Sequence, residues 1–372
     1  MSLLATNLTP ERYSDWDAFC LVNRGAWYWH TTDFLTLQAM VRPEARSAPD
    51  HWWVQRGNEM LALCPFATER VSSSLGERTD LVLGGDLLAA PVFKDGLSDT
   101  ERKKVERFVW EEIERRSIQK KVSRGGFRAP VLVPEVLFPS RPMVNPVLGG
   151  AGWFDASLHT QVLDLRGEEN RLWSGLRDSY HSLIHRDSEK FIFSFYDGHV
   201  LEHGHFEEYR ELHHRAAGRL TRPLETFSKM EETIRRGEAG LALARTREGG
   251  RTVGAIYVYL YKNKGYYGSA CNDPDLASDH ALGHFLQWNV ILELKRKSIT
   301  HYELGWQFRG SNLFYLPTRE EAAIAFFKRG FGGDVVPFYR SVRFFERDRY
   351  DFEMKEKTSA LSGSLFPSPG AS

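Results

Sequence analysis

Apolar residues recur at helical spacing in some stretches of the chain and alternate or run together in others, which predicts an order of elements. In the first part, residues 9–22 and 32–40 read as helices on either side of the aromatic run Trp27-Tyr28-Trp29. Strands are expected at 51–56 and 60–65, with Gly57-Asn58 as the tight turn between them. A long amphipathic helix is expected over 98–116. Ser98 or Asp99 can cap its free amides, and Val105, Phe108, Val109 and Ile113 share one face. Loops are expected at 42–50, 123–130 and 139–152. The last holds Pro142, Pro146, Gly149 and Gly150 and is the expected domain boundary.

Beyond it, residues 161–165 predict a strand and 170–190 a helix, with Leu172, Leu176, Tyr180, Leu183 and Ile184 at helical spacing. A second helix covers 205–218. Strands follow at 240–246, 252–260 and 265–271, the last two joined by the turn from Lys262 to Gly265. The middle one has apolar residues on both faces and so should be central. A helix over 281–297 takes Asp279 as its N-cap and places Lys295, Arg296 and Lys297 where cations complement the helix dipole. A strand at 300–304, a short helix at 320–328, a turn marked by Gly330, Gly332 and Gly333, and a strand at 338–345 complete the pattern. The Ser, Gly and Pro content after Lys357 predicts disorder, so that 351–372 reads as a tail. Mixed helices and strands on both sides of the boundary make this an α/β (α+β) protein with domains at 1–155 and 156–350.

Composition narrows the class. At 372 residues the chain exceeds what one core usually sustains. Lysine plus arginine and aspartate plus glutamate number 49 each, so no global field draws the chain to DNA. Three scattered cysteines, Cys20, Cys64 and Cys271, form no C-x-x-C pair, which argues against a disulfide framework and points to a reducing cytoplasm. Neither a signal-peptide core nor a run of ~20 apolar residues is visible, so no transmembrane segment is expected.

Particular motifs then carry a resemblance. Leu172-Trp173-Ser174-Gly175-Leu176-Arg177-Asp178-Ser179-Tyr180-His181-Ser182-Leu183-Ile184 is close to L-W-x-x-L-R-x-S-x-x-S-x-I, the helix that opens the second domain of FemAB-like proteins. Glu211-Leu212-His213 with Gly218-Arg219-Leu220-Thr221-Arg222-Pro223 resembles a segment of envelope and polysaccharide members. Tyr302-Glu303-Leu304-Gly305 followed by Phe327-Lys328-Arg329-Gly330-Phe331-Gly332-Gly333 resembles the family's C-terminal signature. Ala26 to Thr31 and Leu61 to Pro65 resemble its N-terminal half, so the likeness spans roughly residues 15–345. The chain is thereby identified as a FemAB-like member of the GNAT acyltransferase superfamily. That resemblance implies two tandem GNAT-like domains, each a mixed central sheet flanked by helices, the first shaping the acceptor cleft and the second carrying the acyl donor.

It also implies N-acyl transfer to an amino group of a cell-envelope or polysaccharide precursor, such as an amino sugar on a nucleotide or lipid carrier. The alternatives are aminoacyl-tRNA-dependent transfer to a peptide or peptidoglycan precursor, and an inactive GNAT-like binding module. No cofactor is bound in such a scheme; the donor is a cosubstrate, acyl-CoA, acyl-carrier protein or aminoacyl-tRNA. One departure bears on the donor. Enzymes of this superfamily that use acyl-CoA carry Q/R-x-x-G-x-G/A before the long helix, whose amides hold the pyrophosphate. Here that stretch is Ala277-Ser278-Asp279-His280-Ala281-Leu282-Gly283, with one glycine and an aspartate that would repel phosphate.

The candidate residues follow. In the GNAT fold the strands at 265–271 and 300–304 splay apart around the acyl carbonyl. That makes Glu303 a candidate general base, or else the partner of a nearby arginine. Lys328 can stabilise charge on the carbonyl oxygen or bind phosphate, or be an exposed helix lysine. Arg186, Arg219 and Arg222 can grip a diphosphate or sugar nucleotide by forked hydrogen bonds, or be solvated. Of Tyr266 and Tyr267, alternation sends one to the core and one to the pocket. His213, Tyr267, Gln307 and Arg329 join the arginines as candidate substrate contacts. Seven of the thirteen histidines fall between His181 and His214, in no standard zinc spacing, so no metal is expected. Cys271, with no positioned base in view, reads as a buried cysteine.

Overall fold

The computed structural model describes residues 2–139, 144–198, 200–276, 279–308, 310 and 312–365, with only the backbone of Ser73. Pro142, His199, Ala277, Ser278 and the last seven residues of the expected tail lie outside the described residues. The chain divides into two compact units. The first takes residues up to 159 together with 308–322 and everything from 337 onward; the second takes 160–307 and 323–336.

In the first unit, Leu4–Asn7, Trp52–Arg56, Glu59–Cys64 and Val92–Phe93 form an antiparallel sheet in that order. The hairpin turns at Gly57, whose φ of +60° suits glycine. A second sheet runs Trp153–Asp155, Arg340–Phe344, Val122–Arg128, Gly76–Leu81, Ala67–Ser73, Ala48–Pro49. Helix Asp99–Gln119 makes the crossover into the parallel pair Gly76–Leu81 and Val122–Arg128. It is capped by Ser98, whose hydroxyl accepts the amide of Glu101 at 3.3 Å. Val105, Val109 and Ile113 are buried against Trp16, Trp52 and Phe66, and Phe108 packs at the edge of that core.

In the second unit a seven-stranded mixed sheet runs Phe191–Tyr196, Ala239–Thr246, Thr252–Tyr261, Lys264–Asn272, His301–Gln307, Leu158–Asp164, Asp334–Phe338. Thr252–Tyr261 is central, as its two apolar faces require. Lys262 and Asn263, both at positive φ, make the turn into the next strand. Helices Leu282–Arg296 and Asp178–Ser188 cover one face, burying Leu286, Val290, Ile291, Leu294, Tyr180 and Ile184. Pro337 falls in an edge strand, the position where a missing N–H costs least.

Several expectations need correction. Residues 123–130, expected as a loop, are mostly the strand Val122–Arg128. Gly125 and Gly126 there serve close packing: a Cβ on Gly126 would lie 2.1 Å from the Ser341 carbonyl oxygen, and one on Gly125 2.5 Å from Leu81. The helix expected over 170–190 is two, Glu169–Ser174 and Asp178–Ser188, broken at Gly175, against whose carbonyl Gly332 packs. The strand expected at 338–345 is split between the two units' sheets as Asp334–Phe338 and Arg340–Phe344. Strand Phe191–Tyr196 and helix Leu224–Arg235 were not expected. The segment read as a disordered tail from 351 forms most of helix Arg347–Leu365. One row of its side chains is tied down in the first unit: Arg349 donates to buried Asp80 at 3.3 Å, and Glu353 accepts from Arg124 at 3.0 Å.

Candidate active site

Strands Lys264–Asn272 and His301–Gln307 run parallel through three registered pairs, the last being Tyr266 with Glu303. Past that pair no ladder joins them, while Lys264–Asn272 stays paired on its other side as far as Asn272. Each strand carries a glycine soon after the parting. Gly268 is skipped in the register with Thr252–Tyr261, a bulge that bends the strand away. Gly305 has φ +101°, a conformation open to glycine. The V between the strands opens backbone groups that a continuous sheet would have used.

Lys328, near the end of helix Arg319–Arg329, enters this opening. Its Nζ would lie 2.8 Å from a Cβ on Gly305, and it sits 5.0 Å from the centre of the Tyr267 ring. Burial pushes the Lys328 ammonium down to about 8, partly offset by the charge of Glu303. The helix end that carries it is pinned from several sides. Tyr180 Oη donates to the Phe327 carbonyl at 2.9 Å and Arg177 Nη2 to that of Phe326 at 3.0 Å. Buried Gln307 donates to the Ala325 carbonyl at 3.1 Å and accepts from Arg329 Nε at 3.2 Å. Gly330 is required beneath Tyr180, because a Cβ there would fall 2.3 Å from the ring.

A cavity of about 750 Å³ opens from this point, walled by Lys328, Tyr267, Phe327, Cys271, His213 and His284 among others. Burial holds His213 and His284 near 4, so both are neutral at pH 7. The same effect lifts the Cys271 thiol to about 12, which leaves no nucleophilic thiolate. Glu303 is 4% exposed, accepts from Thr160 Oγ1 at 2.8 Å and does not line the cavity; it reaches Lys328 through its charge.

At the cavity's edge lies the start of helix Leu282–Arg296. Asp279 was expected to cap it, but its N-cap residue is Ala281 and the carboxylate that serves it comes from another helix. Asp187, fully buried, accepts the Ala281 amide at 2.6 Å through Oδ2, and Arg186 Nε at 3.0 Å through Oδ1, with His280 Nδ1 3.4 Å away. A carboxylate thus already occupies the helix start at which an acyl-CoA pyrophosphate would be held.

Of the residues singled out from sequence, Lys328, Tyr267 and His213 line the cavity, and Gln307, Arg329 and Glu303 surround Lys328. The three arginines do not converge there. Arg186 is exposed and pairs with Asp187; Arg219 is exposed; Arg222 lies over the Phe227 ring at 5.5 Å and donates to Met230 Sδ. The histidines of the rich stretch are dispersed: His203 meets Glu231, His205 stacks on Tyr196, and His181 bonds the Trp173 carbonyl. Among the described residues no three potential ligands gather for a metal. Sequence reasoning missed Asp187, His284 and Phe327. The first two sit in ordinary helical runs without a local signal, while Phe327 was legible as part of the Phe327-Lys328 motif.

Residues 193–312 match the family model described as acetyltransferase (GNAT) domain. Among solved structures, FemX is similar over 94% of this chain and 100% of its own, with TM-score 0.63 at 11% identity. L-PGS from Bacillus licheniformis is similar over 95% and 97%, with TM-score 0.54 at 12% identity. The C-terminal domain of a putative lysylphosphatidylglycerol synthetase from Agrobacterium fabrum is similar over 95% and 96%, with TM-score 0.52 at 11% identity. A search of curated proteins by sequence finds no match. Among the described residues no helix is long and apolar enough to cross a membrane. Residues 193–312 are thus similar to the GNAT acetyltransferase domain, within a chain that has the fold of FemX.

Proposed function

We propose that this chain transfers an acyl group from an ester or thioester donor to an amino group of a cell-envelope precursor. The observation that carries the reading is a half-buried lysine placed in the V between two parted strands of a GNAT sheet. The donor carbonyl enters that V, with its oxygen toward Lys328. A neutral amine attacks the carbonyl carbon, an N–C bond forms, and the ammonium of Lys328 stabilises the oxyanion. Collapse of the intermediate breaks the C–O or C–S bond; the amine's proton passes to solvent and the leaving group is protonated. With a pKa of about 8, Lys328 is charged enough at pH 7 for the first task and acidic enough to help the second. Glu303, away from the cavity wall, serves as the counter-charge that keeps Lys328 protonated rather than as the base that touches the amine.

The Asp187 carboxylate at the helix start favours donors that place no diphosphate there, an aminoacyl ester on tRNA or an acyl-carrier thioester over acyl-CoA. An envelope acceptor, small or lipid-linked, agrees with the phospholipid named for the Agrobacterium fabrum synthetase, and the first unit is proposed to hold it. The test is to incubate the chain with envelope precursors and each donor class in turn, then search by mass for new amides. A product formed by the native chain and lost ~10²- to 10³-fold in Lys328→Met supports the reading. Undiminished product from that variant refutes it.

A further inference from the structure

We infer that the acyl group accepted by this cavity has a neutral side chain, and that lysyl-like groups with a cationic end are rejected; the inference rests on the cavity being the donor site. Among the described residues that wall it, none is an aspartate or glutamate. Its one ammonium, Lys328, already lies over one face of Tyr267, and a second cation there would meet a like charge. His213 and His284 contribute neutral imidazoles, and Ile256, Leu282 and Phe327 add apolar surface.

Of the carboxylates near the wall, Glu303 accepts from Thr160 and already acts on Lys328, and the two fully buried ones are committed as well. Asp187 is shared by the Ala281 amide, Arg186 and His280. Asp273, also fully buried, is gripped through Oδ2 by Arg215 at 3.0 Å and Arg251 at 3.1 Å, and through Oδ1 by the Asp275 amide at 3.0 Å. A lysyl-type ammonium, far more basic than the α-amine of an aminoacyl ester, would enter charged, lose its water, meet Lys328 and find no free counter-charge, which is the costly way to bury a charge. A neutral chain of the same length meets none of these penalties.

Three thioesters of N-acetylcysteamine, which carry no phosphate, provide the test: hexanoyl, ω-hydroxyhexanoyl and ω-aminohexanoyl, titrated against the full chain at pH 7 by calorimetry. The hexanoyl and hydroxyhexanoyl probes should bind within a few-fold of each other, and the aminohexanoyl probe at least about tenfold more weakly, equivalent to 1.4 kcal/mol. Ala216→Asp, which adds a carboxylate at an exposed lining position, should recover most of that loss for the amino probe alone. Equal or tighter binding of the amino probe, or a hydroxy probe as weak as the amino one, overturns the inference and leaves the proposed transfer standing. Binding of no probe, or binding that survives filling the cavity with Ala270→Trp, overturns the donor site itself and the proposed function with it.

Discussion

A lysine held near 8 at the mouth of two parted strands has consequences that pH can read. If the ammonium is the working form, kcat should fall as pH rises through about 8, and in Lys328→Arg the falling limb should move beyond pH ~12, where guanidinium finally loses its proton. The sign for stability is opposite. Folding lowers this pKa from 10.5, so the buried charge destabilises the native state at all pH values below about 8, and the penalty disappears as pH climbs to 10.5. Thermal melts should therefore show Lys328→Met at least as stable as the native chain at pH 7, with that advantage gone by pH 10.5. Gly305→Ala should act on the same group through the backbone beside it. It puts a Cβ 2.8 Å from Nζ at a φ of +101°, so product formation should drop at least ~10²-fold while far-UV circular dichroism is unchanged. Lys328 itself stood out in the sequence through its motif. Its depressed pKa did not, because burial and the distance to Glu303 are properties of the folded chain.

At the scale of elements, the start of helix Leu282–Arg296 is the instructive case. The sequence offered Asp279 as a local cap, but the amide of Ala281 is met by Asp187, more than ninety positions earlier. Replacing Asp187 by Ala would leave that buried amide and the side chains around it without their acceptor, and should cost about 1–3 kcal/mol by denaturant titration. The native chain should show no calorimetric binding of coenzyme A in large excess, since a carboxylate already holds the helix start. Elements with strong periodicity, such as Asp99–Gln119 and Thr252–Tyr261, were legible to within a few residues. Val122–Arg128 was not, because its glycines read locally as a loop and only the approach of Leu81 to Gly125 and of the Ser341 carbonyl to Gly126 explains them. The helix Arg347–Leu365 was hidden by the composition of its second half, and its anchors are ion pairs to Asp80 and Arg124, which lie far away in sequence.

For the molecule as a whole, the order of segments along the chain and their grouping in space differ. The first unit's second sheet places Arg340–Phe344 between Val122–Arg128 and Trp153–Asp155, with five registered pairs on one side and three on the other. Arg343 from this strand also reaches Glu114 at 3.2 Å through Nη1 and lies over the Trp153 ring. A fragment ending at residue 159 should therefore fail to fold, leaving two strand edges of its sheet unpaired. Adding a peptide of residues 337–365 should restore cooperative melting. A fragment 1–159 that melts cooperatively alone would contradict this account.

What the sequence by itself determined is the alternation of helices and strands, the GNAT-like motif spellings and the lysine they contain, because periodicity and short motifs are written within a few turns of chain. What the tertiary structure decided is where strands part, which carboxylate meets which helix and which segment completes which sheet. These depend on groups brought together from distant positions, where a few ångströms of glycine clearance or one buried charge settles the arrangement.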